Sequence, residues 1–445
     1  MRFDVAVIGG GFSGTMVAAQ LARRGVGSVL IEGGGRMGQG IAYATREPAH
    51  VLNVRAEVMS AWPDASDDFA RAVEAEGGSA KDFPERRRFG RYLRAILDEA
   101  VTAGLVTAVE AGAVSAVRDG EGWAITLDDG RAISAHALVL AIGNQAPAPM
   151  AVADGIAPER FVNNPWGAEA QAATARAVAS DADVLILGTG LTAIDLILAL
   201  DANGHRGRIV ALSRRGQMPR GHAAFEPAPV DEDELPLGNV LALWRWLRRR
   251  GGEVGWRAAV DSLRPHTKAI WQGLDDAQQA RFLRHARPWW DVHRHRIAPE
   301  VAERMKRLIG EGRLEVRAGR VRGMREANGQ LEVQIARRGK GQSLDRLGTN
   351  GSLVESFDVA FNCTGPLGAM ARTENPVLRQ MLGDGLVAID RIGMGLDADD
   401  RDRAGQRVWA LGPLTKGKYW EIIAVPDIRG QAAAVAADIA TELEA

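Results

Sequence analysis

DVAVIGGGFSGTMVAAQ (residues 4–20) and DVLILGTGLTAIDLILA (residues 183–199) follow one pattern: an acidic residue, a short apolar run, a glycine-rich turn and helix-forming residues. Gly9, Gly11 and Gly14 spell GxGxxG in the first copy. In such a turn the first glycine permits a tight bend, and the second lets the backbone approach a pyrophosphate. The third lets the helix pack closely on the strand, and the helix N-terminus favours the anion. The repeat therefore predicts two dinucleotide sites in one chain.

The first copy has the further parts of a dinucleotide fold. An apolar strand is expected over residues 3–8, a helix over 13–24, and a second apolar strand over 28–32. That second strand ends in Glu32, 18 residues after Gly14, where a carboxylate can accept hydrogen bonds from both ribose hydroxyls. A purely structural role for Glu32 is the alternative.

The second copy differs where the first has its carboxylate. Its next strand, residues 208–213, is followed by Arg214 and Arg215. A carboxylate at this place would repel a 2′-phosphate, whereas an arginine donates two hydrogen bonds to it. We therefore expect NADPH in the second site; the alternative is a solvated loop that happens to contain two arginines.

Composition narrows the function classes. The 445 residues, of which 46% are hydrophobic, suffice for two or three domains, and a net charge of −1 gives no general attraction to nucleic acid or anionic membranes. The single cysteine, Cys363, excludes an intramolecular disulfide and a CxxC redox relay within this sequence. A strand begins by residue 3, and no apolar stretch reaches membrane-spanning length, so we expect a soluble, cytoplasmic protein.

The order of elements predicts an α/β fold with two nested Rossmann-like dinucleotide-binding domains. A buried strand at residues 137–144 follows three short strands, near residues 113–117, 123–127 and 132–134. This order resembles the β-meander of glutathione-reductase-type flavoproteins. The resemblance implies FAD in the first site. We expect a discontinuous FAD-binding domain at residues 1–165 and 356–445. An NAD(P)H-binding domain is expected at residues 180–222 and 310–355, and a helical substrate or lid insertion at residues 223–309.

Several further motifs complete the pattern: GQGIAYAT (38–45), HVLNV (50–54), NNPWG (163–167), PWWDVHRHRIAP (288–299), FNCTGP (361–366), LGPLTKGKYWE (411–421) and AVPDIRGQA (424–432). In this order the chain resembles a bacterial family of FAD/NAD(P)-binding proteins related to the flavin-dependent N-hydroxylating monooxygenases. The resemblance covers nearly the whole chain and implies that Asn53, Gly412, Pro413 and residues 427–431 lie along FAD. The FxGxxxHxxxW/Y fingerprint of better-known flavin monooxygenases is absent, and FVNNPWG (161–167) stands in its approximate place.

Two sets of cofactor-binding residues follow from these patterns. The FAD set is Gly9, Gly11, Phe12, Ser13, Gly14, Glu32, Gly40, Asn53, Gly143, Gly412, Pro413 and Ile428. The NADPH set is Gly188, Gly190, Leu191, Thr192, Ser213, Arg214, Arg215 and Gly365.

The stretch RPWWDVHRHR (287–296) is unusual in composition. His293 and His295 lie two apart, but without a third histidine or a cysteine nearby we expect no metal. Two interpretations stay open: core tryptophans with a solvated cationic edge, or an aromatic and cationic wall that selects a substrate carboxylate. The candidate wall consists of Trp290, His293, Arg294, Arg296, Lys416 and Trp420.

No protein nucleophile is predicted, because the flavin would carry the chemistry. The expected function is an FAD-dependent, NADPH-using oxidoreductase, namely a monooxygenase that acts on a small amine or amino-acid nitrogen through a flavin hydroperoxide. The alternatives are an NADPH-dependent flavoprotein reductase or dehydrogenase that passes electrons to a partner or small acceptor, and a dinucleotide-binding redox sensor. Expected partners are a small-molecule substrate and molecular oxygen, with no nucleic acid or membrane, and homo-oligomers are possible.

Overall fold

The computed structural model describes residues 2–337 and 352–444. The chain forms two compact units, and neither is continuous in sequence. The first unit comprises residues 1–145, 225–286 and 369–445, and the second comprises residues 146–224 and 287–368. The part of the predicted NAD(P)H-binding domain at 338–351 lies outside the described residues.

The described strands and helices follow in chain order. The strands are β1 Arg2–Ile8, β2 Ser28–Ile31, β3 Val106–Val109, β4 Ala113–Asp119, β5 Gly122–Leu127, β6 Ala132–Leu140, β7 Phe161–Val162, β8 Val184–Leu187, β9 Ile209–Ser213, β10 Leu314–Ala327, β11 Gln330–Arg337, β12 Ser352–Phe357, β13 Val359–Asn362, β14 Arg403–Gly405 and β15 Val408–Ala410. The helices are α1 Phe12–Ala22, α2 Gly40–Tyr43, α3 Asp68–Ala75, α4 Arg86–Thr102, α5 Ala168–Ser180, α6 Leu191–Ala202, α7 Val240–Val254, α8 Trp256–Ser262, α9 Thr267–Gln272, α10 Asp276–Arg281, α11 Arg287–Arg294, α12 Pro299–Gly310, α13 Pro376–Gly383, α14 Lys416–Tyr419 and α15 Val425–Glu444.

The sheet of the first unit has the strand order β14-β15-β6-β1-β2-β3, with β4 and β5 joined to it through β6. Strand β6 continues where two strands were expected. Its first residues pair antiparallel with β5, and residues 134–140 pair parallel with β1, so that Ile8 lies beside Leu140. One strand thus belongs both to the meander and to the nucleotide-binding sheet.

Helices α1, α4 and α15 cover one face of this sheet. Met16 and Val17 of α1 share one apolar core with Val435 and Ile439 of α15, and each of these four side chains is at most 1% exposed. The apolar face of α1 therefore packs in part on residues far away in the sequence, which the spacing within α1 alone does not indicate.

Residues 225–286 form the helical part of the first unit. Helix α7 begins after Asn239, whose side chain accepts hydrogen bonds from two backbone N–H groups of its first turn. The helix continues through Gly251 and Gly252 to Val254 and ends at Gly255, where φ is 80°.

The same part contacts α14 within the first unit. Trp271 Nε1 of α9 donates to the carbonyl oxygen of Gly417 at 2.7 Å, and Lys268 Nζ lies 5.0 Å from the ring centroid of Tyr419. Helix α9 is thereby fixed to the segment that follows β15.

The sheet of the second unit has the order β12-β11-β10-β9-β8-β13-β7. Strand β10 changes partner along its length: residues 314–318 pair parallel with β9, and the remainder pairs antiparallel with β11. The turn between β10 and β11 is Asn328-Gly329, with φ of 52° and 75°, as expected for a tight hairpin.

Asp201 at the end of α6 joins three segments of the second unit. Its carboxylate lies 2.5 Å from Arg304 Nε, 2.8 Å from Arg307 Nη2 and 2.9 Å from Arg313 Nη1, and its side chain is 5% exposed. Burial acts to raise the pKa of this carboxyl, but the hydrogen bond and charge of Arg304 with the other two guanidinium groups lower it below its usual range.

The two units divide the chain differently from the boundaries expected from the sequence. Strands β7 and β13 hydrogen-bond within the second sheet, so residues 146–165 and 356–368 belong to the second unit. The expected helical insertion is divided, since residues 225–286 belong to the first unit and residues 287–309 to the second. No helix among the described residues is both long and apolar enough to cross a membrane.

Candidate functional site

The first glycine loop (residues 9–14) joins β1 to α1, and two of its glycines are required by the fold. Gly9 has φ of 111°, and a Cβ there would lie 2.4 Å from the carbonyl oxygen of Ala141. A Cβ on Gly14 would lie 1.8 Å from the carbonyl oxygen of Gly9. Both positions therefore exclude any side chain because backbone lies against them.

Gly11 is different. It precedes α1 with φ of −81° and ψ of −166°, a conformation open to any residue. The nearest heavy atom to an added Cβ is Gly40 Cα at 3.6 Å, which is ordinary contact. No close protein contact requires a glycine here, so the free space beside the helix N-terminus fits an approaching pyrophosphate.

The second glycine loop (residues 188–193) repeats this geometry. Gly188 has φ of 119°, and its Cβ would lie 2.1 Å from the carbonyl oxygen of Cys363. Gly190 has φ of −85° and ψ of −167°, within a few degrees of Gly11, and no heavy atom of the described residues outside its own helix and chain neighbours lies within 4 Å of an added Cβ. Two separate segments thus keep a glycine at the helix N-terminus without a steric need from the fold.

Glu32 follows β2 and contacts the first glycine loop. Its Oε2 accepts from the Gly10 N–H and its Oε1 from the Gly34 N–H, both at 2.8 Å. Each carboxylate oxygen keeps a further lone pair. The structural role considered as an alternative is therefore present, and the same carboxylate remains able to accept from a ribose.

The Gly412 loop (residues Gly412–Thr415) follows β15. Gly412 has φ of 62°, and an added Cβ would lie 2.7 Å from Ser13 Oγ and 3.7 Å from Ile428 Cδ1. Its N–H donates to Gln431 Oε1 at 2.8 Å, and its carbonyl accepts from Thr415 Oγ1 at 2.9 Å. The structure thus brings Ser13, Gly412 and Ile428 of the predicted FAD set together.

The remaining residues of the FAD set lie in the same unit. Phe12 is buried at the start of α1, Pro413 lies in the Gly412 loop, and Gly143 has φ of 74° with nothing within 4 Å of an added Cβ. Gly40, with φ of 61°, lies against Gly11, and a Cβ on it would be 2.8 Å from Gly11 Cα. Asn53 lies two residues after Val51, which forms an isolated bridge with Glu85.

The second site is organised around the end of β9. Ser213 Oγ accepts from Thr189 Oγ1 at 2.9 Å and from the Gly216 N–H at 3.0 Å. Arg214 is exposed and makes no hydrogen bond or ion pair with any residue in the described ranges. Arg215 is half-buried and has interactions of its own. Arg214 is therefore the guanidinium that remains available for a ligand anion.

Leu191 and Thr192 are the first two residues of α6, both half-buried. Gly365 follows β13 with φ of 103° and has nothing within 4 Å of an added Cβ. The NADPH set thus gathers at the carboxyl ends of β8, β9 and β13, where ligands of parallel sheets bind.

Four residues of the candidate substrate wall belong to the second unit. Trp290 is 8% exposed and Arg296 is 4% exposed, with Arg296 Nε donating to the His293 carbonyl at 3.1 Å. Arg294 is half-buried at the end of α11. The neighbouring Trp289, expected as core in the structural interpretation, is 39% exposed.

Lys416 and Trp420 belong to the first unit. Lys416 Nζ lies 5.4 Å from the Trp420 ring, which stacks on Trp271 at 5.1 Å and meets Phe282 edge-on at 5.0 Å. The sequence does not predict these contacts of Trp271 and Phe282, because no motif links residues 271–282 to residue 420.

Two other chemistries find no support in the described residues. Residues 2–337 and 352–444 contain no group of three or more His, Cys, Asp or Glu side chains arranged to hold a metal ion. Burial raises the pKa of the Cys363 thiol far above its usual range, with the charge of Asp195 adding to the effect. A thiol in that state is a poor nucleophile.

Comparison with known proteins agrees with this geometry. The chain is similar to the reduced form of an ornithine hydroxylase from Pseudomonas aeruginosa, with 14% identity, 100% of each chain covered and a TM-score of 0.66. It is similar to an ornithine N-hydroxylase from Kutzneria sp. 744 with reduced FAD, NADP⁺ and L-ornithine, with 15% identity, 99% and 100% covered and a TM-score of 0.67. A bacillithiol disulfide reductase from Bacillus cereus gives 16% identity, 99% and 100% covered and a TM-score of 0.57. No curated protein sequence matches the chain.

The N-terminal part of the chain also matches the FAD-NAD(P)-binding protein family, over residues 6–145. The matched range contains the first glycine loop and Glu32. The predicted α/β fold of a two-dinucleotide flavoprotein is confirmed, as are the resemblance to FAD/NAD(P)-binding proteins and the predicted class of cofactor.

Proposed function

We propose that the protein is an FAD-dependent oxidoreductase that uses NADPH, with FAD on the first glycine loop and NADPH on the second. The observation that carries this proposal is the shared geometry of Gly11 and Gly190, each open beside a helix N-terminus. The difference between Glu32 and Arg214 after the following strands assigns the two ligands, because only the cation suits a 2′-phosphate. The first unit is accordingly the FAD-binding part and the second the NADPH-binding part.

The protein's own contribution is binding and orientation. The N-terminus of α1 and the N–H groups of its glycine loop would hold the pyrophosphate of FAD, Glu32 the ribose, and the Gly412 loop the remainder of the cofactor. When bound, FAD supplies two-electron chemistry with NADPH and can react with oxygen. On the second glycine loop, the N-terminus of α6 would hold the NADPH pyrophosphate, and Arg214 its 2′-phosphate.

Within this class we propose a monooxygenase that acts on a small amine or an amino-acid nitrogen. The two ornithine hydroxylases match 100% and 99% of the chain at TM-scores of 0.66 and 0.67, above the 0.57 of the disulfide reductase. Disulfide reduction of the two-cysteine type has no support in the sequence, since Cys363 is the single cysteine and is buried. Among the wall residues of the second unit, the guanidinium of Arg294 suits a substrate that carries a carboxylate.

A reductase that passes electrons to a small acceptor is the second candidate. The missing fingerprint at residues 161–167 and the likeness to a disulfide reductase support it. The two functions differ in what they do with oxygen and with substrate.

One experiment separates them. Protein reconstituted with FAD is mixed with NADPH and oxygen in the presence of a panel of amines and amino acids, and products are identified by mass. A monooxygenase gives substrate-stimulated NADPH oxidation and a product heavier by one oxygen atom. A reductase gives no such product, but reduces an external acceptor without oxygen. Gly190→Ala serves as the control, since it should impair NADPH binding while leaving FAD in place.

A further inference from the structure

We propose that Thr189 is a positioning residue for Arg214, and that its hydroxyl thereby sets the preference for NADPH over NADH. The inference rests on the proposed function, because it takes NADPH to be the ligand of the second glycine loop and Arg214 to be the contact of its 2′-phosphate. Thr189 stands between Gly188 and Gly190, at a place for which the glycine pattern fixes no residue type. The residue is 6% exposed.

The Thr189 hydroxyl joins both ends of the segment that carries Arg214, which we call the Arg214 loop (residues 213–217). Thr189 Oγ1 donates to Ser213 Oγ at 2.9 Å, where the loop begins, and to the carbonyl oxygen of Gln217, where it ends. A hydroxyl carries one proton, so the two bonds share it or the Ser213 hydroxyl supplies the second proton. In both arrangements one buried side chain closes the loop.

A second contact holds the Arg214 loop on β10. Gly216 has φ of 60°, and an added Cβ would lie 2.8 Å from the backbone nitrogen of Ala318 and 2.9 Å from the carbonyl carbon of Arg317. The Gly216 N–H donates to Ser213 Oγ at 3.0 Å. These contacts do not involve Thr189, so the loop stays attached to β10 when the hydroxyl is removed. We therefore expect its ends to loosen without unfolding of the second unit.

The first glycine loop makes the corresponding contact by different means. By strand register, Gly10 of the first loop corresponds to Thr189. Glu32 likewise corresponds to Ser213. The Gly10 N–H donates to Glu32 Oε2 at 2.8 Å, whereas in the second loop a side-chain hydroxyl makes the bond. In both loops the residue between the first two glycines is therefore bound to the residue that ends or follows the next strand, where the ribose of a dinucleotide lies.

The position of this bond explains why it should act on one nucleotide and not on the other. NADPH and NADH differ only in the 2′-phosphate, which we assign to Arg214. A loop and a side chain that become ordered only on binding lose part of the contact energy to that ordering. Because the Thr189 hydroxyl fixes the backbone on both sides of Arg214, this loss is smaller in the wild type. A residue that acted on the pyrophosphate would affect both nucleotides equally.

The test compares Thr189→Val with Thr189→Ser in protein reconstituted with FAD. Valine keeps the branched shape without the hydroxyl, whereas serine keeps the hydroxyl. The probes are NADP⁺ and NAD⁺, which differ by the 2′-phosphate and do not reduce the flavin, and calorimetry measures the affinity for each. Thr189→Val should weaken NADP⁺ binding about three- to tenfold, the effect of one lost hydrogen bond, and NAD⁺ binding less than about twofold. Thr189→Ser should stay within about twofold of wild type for both probes.

A matched control lies on α5 of the same unit. Thr174 is half-buried, and its Oγ1 donates to the Ala170 carbonyl oxygen at 2.7 Å. Thr174→Val removes a hydroxyl in the same way and should leave the affinity for both probes unchanged. If Thr189→Val does not fold, Ser213→Ala breaks the same bond from its other end and should cause the same selective loss. Wild-type affinity for NADP⁺, or equal losses for NADP⁺ and NAD⁺, would overturn the inference.

A double mutant tests the route through Arg214. In Arg214→Ala protein the contact to the 2′-phosphate is already absent, so adding Thr189→Val should cause no further loss of NADP⁺ affinity. Additive losses would contradict the route.

The proposed function and the role of Thr189 fail in different measurements. If wild-type protein binds NADP⁺ no better than NAD⁺, the proposed choice of coenzyme fails. Hydrogen exchange of residues 213–217 in nucleotide-free protein tests the positioning role separately. Thr189→Val should accelerate this exchange, and unchanged exchange would reject the positioning role whatever the coenzyme.

Discussion

Replacing Gly11 by alanine should separate binding from folding. The backbone at Gly11, with φ of −81°, accepts alanine, and the new Cβ meets only Gly40 Cα at 3.6 Å. The cost to the fold is that of a helix-start glycine exchanged for alanine, about 1 kcal/mol at most, against about 5–15 kcal/mol for a typical domain. Gly11→Ala protein should therefore remain folded.

The same methyl group occupies the space assigned to the pyrophosphate. Displacing one charge-assisted hydrogen bond between phosphate and backbone costs about 1.5–3 kcal/mol, which corresponds to about 10- to 150-fold weaker FAD binding. The measurement is titration of apoprotein with FAD by fluorescence, beside thermal unfolding of the same apoprotein.

Two variants serve as controls. Gly14→Ala places a Cβ 1.8 Å from the Gly9 carbonyl oxygen, so that folding and FAD binding should be lost together. Gly190→Ala, with open space around it, should weaken NADPH binding and leave FAD binding unchanged. Wild-type FAD affinity in Gly11→Ala would refute the assignment of FAD to the first glycine loop.

Three further changes test the second unit. Arg214→Ala should weaken the affinity for NADPH about tenfold or more and the affinity for NADH far less, because one charge-assisted contact to the 2′-phosphate is lost; anaerobic flavin reduction measures both. Arg206→Ala is the matched control, since Arg206 is exposed at the other end of β9. Equal losses of affinity for the two nucleotides in Arg214→Ala would contradict the assignment. Asp201→Asn should lower the free energy of unfolding by about 2 kcal/mol at neutral pH. Arg304 and its neighbours lower the folded-state pKa of Asp201, so the loss of unfolding free energy in Asp201→Asn should be complete above about pH 5 and shrink as the pH falls through that pKa. A loss that does not change with pH in denaturant unfolding would argue against this role of Asp201. Arg294→Ala should leave FAD content and anaerobic reduction unchanged while more hydrogen peroxide forms per NADPH consumed, and full coupled turnover would remove Arg294 from the substrate wall.

Much of the fold could be predicted from local patterns. The glycine spacing, the apolar strands before it and the acidic or basic residue after the next strand are all short-range features, and the structure places Gly11 and Gly190 in almost equal geometry. The hairpin at Asn328-Gly329 was predictable for the same reason, since its backbone demands residues that tolerate positive φ.

Features that depend on distant residues could not be predicted. Four of the nine residues of β10 after residue 318 are charged and the segment shows no regular apolar alternation, so its pairing with β11 is what makes it a strand. Gln431 hydrogen-bonds to Gly412 and Thr415, 19 and 16 residues earlier in the chain, and nothing in the local sequence around Gln431 indicates these contacts. The division of the helical insertion has the same origin, because contacts such as that of Trp271 with Gly417 are invisible in composition.

The packing of α15 on α1 has a consequence for synthesis on the ribosome. Helix α1 ends at Ala22 and α15 begins at Val425, so about 400 residues separate two helices that share one core. At about 5–20 residues per second, roughly 20–80 s pass between their emergence. During that time Met16 and Val17 lack the apolar partners that α15 later supplies. We therefore expect chaperone binding or temporary contacts to cover this surface of the nascent chain until α15 completes the core of the first unit.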